Sequence, residues 1–133
     1  EEAARFVEET GADMLAPAVG NIHGMRAHVS DPALDIARIR AIKDALRQAQ
    51  GEPVPLVLHG ASGNTEEDLK AAIEAGISIV HISTELRAAW RKSLEEELKE
   101  HPGEVAPYKV MPDVLRAMED VVERHLRLFN EPS

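Results

Sequence analysis

What most restricts the fold of this chain is a repeated alternation of short, largely apolar runs with longer amphipathic stretches. The runs are MLAPAV (residues 14–19), VPLVLH (54–59) and ISIVHIS (77–83), each followed by a polar loop and a segment of helical length. A strand that shows no alternation of polar and apolar residues is buried on both faces. A connection long enough to hold a helix implies that the strands it joins are parallel. The pattern therefore predicts an α/β fold with about three parallel strands and flanking helices. Three strands are too few to close a (β/α)8 barrel, so the sheet reads as part of a larger one.

Local signals place the helices. Residues 1–10 read as helix, with Gly11 just past its end. Asp31 and Pro32 are expected to open a helix running to residue 50, because Leu34, Ile36, Ile39, Ile42 and Leu46 follow a helical spacing. Thr65 caps a helix that Gly76 closes, and a further helix covers 84–100. The breaker HPGEVAP (101–107) separates it from a last helix over 112–128. Along that helix Val114, Leu115, Met118, Val121, Val122 and Leu126 form an apolar stripe suited to a partner chain. His101 and His125 read as surface residues, and LEEELKEH as a solvated face.

Composition narrows the function classes. Aromatic residues are only 3% of the chain while apolar residues reach 44%, so the core is built from aliphatic side chains. The absence of cysteine excludes disulfides and thiolate metal sites, and fits a cytoplasmic location. A formal net charge of −9 argues against nucleic acid as a partner. No apolar run is long enough for a membrane span. An anionic small molecule remains compatible, because backbone dipoles hold phosphate even in acidic proteins.

The polar residues with chemical capability gather where the strands end. Gly20, Asn21, His23 and Gly24 follow the first run; His59, Gly60, Ser62 and Gly63 follow the second; His81, Ser83 and Thr84 close the third. In parallel α/β sheets that end carries the ligand site. Neutral imidazole is a favoured zinc ligand, and a catalytic zinc usually takes about three protein ligands. Gly60 and Gly63 permit positive φ and a close backbone approach, so with Ser62 they suit a nest for phosphate oxygens. Taken singly, each feature is ordinary: a histidine after a strand is more often structural, and GASG is a common turn. Their coincidence at three equivalent ends carries the weight.

In that order, LAPAVGNIHGM, VPLVLHGASG and ISIVHISTELRAAW resemble the second half of the class II ketose-bisphosphate aldolases, and HPGEVAPYKVMPDVLRAMEDVVE resembles that family's closing helices. The resemblance implies the C-terminal part of a (β/α)8 TIM barrel, with β/α units over 1–103 and a helical tail over 104–133. It implies zinc-dependent cleavage of a ketose 1,6-bisphosphate to dihydroxyacetone phosphate and glyceraldehyde 3-phosphate, with the reverse condensation. His23 and His59 match the family's zinc ligands. Gly24, Gly60, Ala61 and Ser62 match positions around the ketose phosphate, as do His81, Ser83 and Thr84. A monovalent cation accompanies the zinc in some members.

Two departures stand out: His81 replaces a usual asparagine, and a lysine past the first histidine is missing, with Arg26 or His28 as substitutes. Arg26 is the better of the two, being permanently charged. The family's third zinc histidine and its proton-shuttling aspartate are expected upstream of Glu1. The segment alone is therefore expected to be inactive, and the longer protein to be a homo-oligomer, dimer or tetramer. The alternative is a non-catalytic phosphosugar-binding subunit or module of the same fold.

Overall fold

The computed structural model describes residues 1–22, 32–51 and 54–130. They fall into two compact units, Glu1–Ile82 and Ser83–Ser133. The segment 23–31, with His23, Gly24, Arg26, His28 and Asp31, lies outside the described residues.

In the first unit, α1 (Glu2–Thr10) stops as its sequence predicts. Gly11 takes the left-handed conformation, φ 68° and ψ 26°, and its N–H donates to the Val7 carbonyl. Helix α2 (Ile36–Gln50) begins later than Asp31–Pro32 suggested. The backbone N–H of Asp35 is committed to the Val19 carbonyl at 2.8 Å, which holds the preceding residues out of the helix. The Asp35 carboxylate then accepts from the Arg38 N–H at 2.9 Å and acts as the cap. Ile39 and Leu46, two turns apart on one face, are buried completely or nearly so.

Strands β1 (Leu56–Leu58) and β2 (Ile77–Val80) are parallel, joined through α3 (Glu66–Ala75). The pairs are Leu56 with Ile77, Val57 with Ile79 and Leu58 with Val80, so exposed Ser78 is passed over as a bulge. All three β1 residues are buried, as expected for a strand covered on both faces. The Thr65 hydroxyl caps α3 by accepting from the Asp68 N–H at 3.1 Å, and Gly76 ends it.

The third strand expected over 14–19 does not form among the described residues. Leu15 alone bridges to Leu56, through Leu15 N–H to Pro55 O at 3.0 Å and Val57 N–H to Leu15 O at 2.9 Å. In a parallel ladder the next donor toward β1 is residue 17. That residue is a proline with no N–H, so the pairing ends after one rung.

The second unit is a pair of helices, α4 (Thr84–Glu100) and α5 (Pro107–Asn130). Helix α5 starts five residues before the expected Pro112. Pro107 loses nothing at the first helical position, and Pro112 deprives only the Tyr108 carbonyl, on a residue 76% exposed. Glu104 latches this end, accepting from the Val105 and Ala106 N–H groups at 3.0 Å and pairing with Lys109 Nζ at 2.7 Å. His125 is a further correction: it is 5% exposed, on the same stripe as buried Val114 and Leu128. Its Nδ1–H donates to the Val121 carbonyl at 2.9 Å, and Nε2 lies 3.7 Å from the Glu85 carboxylate, which Arg124 also holds. Leu115, Val122 and Leu126 remain exposed on α5, and Trp90 is 39% exposed on α4. No helix among the described residues is long and apolar enough to cross a membrane.

Two outcomes follow from this packing. Leu58 is fully buried, so Leu58→Ala lowers stability in chemical denaturation by about 2–5 kcal/mol. The Glu104 carboxyl is held below the usual range, chiefly by Lys109 and then by the Ala106 N–H. A depressed carboxyl stabilises the fold above its unfolded value, and that support is lost as pH falls through its folded value. Protection of the Val105 and Ala106 amides against hydrogen exchange therefore drops on acidification. In Glu104→Ala that protection is low at neutral pH already and changes little.

Candidate functional site

The carboxyl end of β1 runs directly into His59 and the loop Gly60-Ala61-Ser62-Gly63. Gly60 and Gly63 adopt φ of 63° and 107°, which side chains with a Cβ rarely reach, so the positive φ expected of this loop is present. Ala61 and Ser62 turn inward and are 0% and 3% exposed. The Asn64 N–H closes the turn onto the Ala61 carbonyl at 3.3 Å. The Asn64 Oδ1 is buried and accepts no hydrogen bond from the described residues.

His59 is held from a second direction by Asn21, which the sequence marked only as part of a cluster. Its Nδ2 donates to the His59 carbonyl at 3.0 Å, while its Oδ1 accepts from the Val19 N–H at 2.9 Å. One amide side chain thus ties the end of the 14–19 segment to the end of β1. The signal for this role was Asn21's place directly after Gly20, a turn position.

His81 follows β2 as His59 follows β1. Its backbone N–H donates to the Leu58 carbonyl at 2.9 Å, the bond that closes the last strand pair, Leu58–Val80. The two imidazoles meet edge to face, ring centroids 4.6 Å apart and planes at 84°. His81 is exposed and His59 half-buried. Among the described residues no three His, Cys, Asp or Glu side chains gather closely enough to hold a metal ion.

Ser83 and Thr84 open α4 in the second unit. Ser83 stands at the cap position without a side-chain capping bond, and the Thr84 hydroxyl accepts from Arg87 Nη2 at 3.3 Å. The structure thus brings together His59, His81 and the 60–63 loop. It describes Ser83 and Thr84 separately, and His23, Gly24 and Arg26 fall outside the described residues.

Imidazoles and glycine-rich backbone at the carboxyl end of neighbouring parallel strands are what α/β proteins assemble to bind ligands. The profile of class II fructose-bisphosphate aldolases matches residues 1–132, and the chain belongs to that family. Among solved structures it is similar to the YdjI aldolase of Escherichia coli K12, with 34% identity and a TM-score of 0.77 over 97% of this chain. A Coccidioides immitis protein provisionally described as a fructose-1,6-biphosphate aldolase matches at 31% identity and a TM-score of 0.73, again over 97% of this chain. Fructose-bisphosphate aldolase from Campylobacter jejuni, at 19% identity, shares the fold with a TM-score of 0.77 over 97% of this chain. The chain covers 43%, 42% and 44% of those three proteins, less than half of each.

The Asn21 tie makes a direct prediction. Asn21→Ala strands a partly buried donor and acceptor, lowers stability by about 1–3 kcal/mol and shifts the amide resonances of His59 and Gly60. Asn21→Asp keeps the acceptor for Val19 but loses the donor to His59, so it perturbs the same resonances with a smaller loss of stability.

Proposed function

We propose that this chain contributes to a zinc-dependent ketose-bisphosphate aldolase, cleaving its substrate to dihydroxyacetone phosphate and an aldehyde phosphate. The observation that carries the reading is the end of β1, where His59 adjoins a loop whose Gly60 and Gly63 both have positive φ. Family membership and likeness to aldolases of known structure support it. The chain then forms the C-terminal part of a (β/α)8 barrel domain, its β/α units over 1–103 and its tail over 104–133.

The donor chemistry fits the metal: a strand-end imidazole of the kind zinc favours, beside a second imidazole on the neighbouring strand. His59 would hold the zinc, joined by His23 and by a histidine from elsewhere in the protein. When bound, zinc polarises the oxygens of a ketose and stabilises negative charge developing as the carbon–carbon bond breaks. The Gly60–Ser62 backbone receives the substrate phosphate, and Gly24, Ser83, Thr84 and Arg26 add donors for it. Grip on this remote group orients the reacting carbons, so binding energy is turned to positioning. The loop carbonyls and the Asn64 Oδ1 would supply acceptors for a monovalent cation.

The test uses the intact protein. His59→Ala should abolish both zinc retention and aldol cleavage in a coupled assay. A variant that keeps tight zinc and full activity overturns the assignment. Phosphosugar binding without zinc or cleavage in the unaltered protein identifies a binding module instead.

A further inference from the structure

The contact between His59 and His81 is a side-chain juxtaposition at the strand ends that the proposed function leaves unused. Leu58–Val80 is the last pair of the β1–β2 ladder, and the next residue along each chain is a histidine. The two rings meet edge to face with centroids 4.6 Å apart, at the near end of the range of about 4.5–7 Å over which aromatic pairs attract. The three histidines proposed for zinc leave its fourth position to substrate, so there is no place for His81 as a further ligand. Exposed His81 fills no core either. What its ring touches is a ligand, His59.

We infer that His81 is a positioning residue for His59: its ring holds the His59 imidazole in the orientation that binds the metal. The inference rests on the metal role of His59 proposed above. The torsion about the Cβ–Cγ bond of a histidine is broad, so no rotamer well of its own aims the ring nitrogen. The Asn21 Nδ2 fixes the His59 carbonyl, but that bond acts on the backbone and does not set the rotation of the ring. Turning the His59 ring either drives an edge into His81 or withdraws it from the contact, and both raise the energy. Metal-bound histidines are commonly oriented by partners that do not themselves reach the ion. Here the partner acts by packing, so a phenyl ring serves as well as an imidazole. Without a ring at position 81 the ligating orientation is a smaller share of the metal-free protein, and zinc affinity falls by the same factor.

Titration of the metal-free intact protein with cobalt(II), followed by zinc competition, tests this without relying on turnover. His81→Ala removes the ring, and His81→Phe keeps a ring against His59 but has no nitrogen. His81→Ala should weaken zinc by about 2–12-fold, the worth of one aromatic pair. His81→Phe should return the affinity to within about twofold of the unaltered protein. The visible cobalt bands should keep their positions in both variants, since neither loses a ligand. Before metal is added, the ring resonances of His59 should report greater motion in His81→Ala and not in His81→Phe. Unchanged zinc affinity in His81→Ala, with metal lost in His59→Ala, overturns the inference alone. Zinc weakened as much in His81→Phe as in His81→Ala overturns it as well, because a nitrogen would then be required, and so do shifted cobalt bands in His81→Phe. Equal zinc binding in the unaltered protein and in His59→Ala removes the metal role of His59 and this inference together.

Discussion

The candidate site depends on one register, the parallel pairing of β1 with β2. Leu56 and Leu58 are wholly buried, and each contributes about 1.5–3 kcal/mol of transfer free energy that a one-residue slip would forfeit. The bulge at Ser78 adjusts the ladder so that Leu58 faces Val80. From that rung the two chains leave the sheet side by side, and the next residue on each is a histidine. An aliphatic core thus determines where two imidazoles emerge, although neither ring belongs to the core.

Around that register, single polar contacts steer the backbone where burial alone would not. The Asn21 side chain binds both Val19 and His59, and the Asp35 N–H reaches back to the Val19 carbonyl. In the second unit, Glu85 draws Arg124 and lies near the buried His125, pinning the start of α4 to the later turns of α5. Several other ion pairs, such as Arg127 with Glu123 and Lys99 with Glu95, are exposed neighbours along one helix and add little.

Features set by neighbouring residues could be read from the sequence, and features set by distant ones could not. Thr65 and Gly76 bound α3 because a hydroxyl cap and a glycine stop act within one turn. Asp31–Pro32 was the expected start of α2, and the later start follows from a hydrogen bond from Asp35 N–H to the Val19 carbonyl, sixteen residues away. The apolar run at 14–19 looked like a strand, yet Pro17 withholds the donor that its second rung requires. His125 was misjudged by residue type, although its spacing from Val114 and Leu128 put it on the buried stripe. At the site, the strand-end positions of His59 and His81 and the positive φ of Gly60 and Gly63 were legible. The ring contact was not, because it depends on where the Ser78 bulge falls in the ladder.

The placement of the aromatic residues has an optical consequence. The only tryptophan, Trp90, and the only tyrosine, Tyr108, are both exposed and both lie in the helical unit. Residues 1–82 contain neither, so intrinsic emission originates wholly in the second unit. Agreement between probes is the usual sign of a single cooperative transition. In this chain, fluorescence originates in the second unit, whereas a backbone-amide signal sums over both.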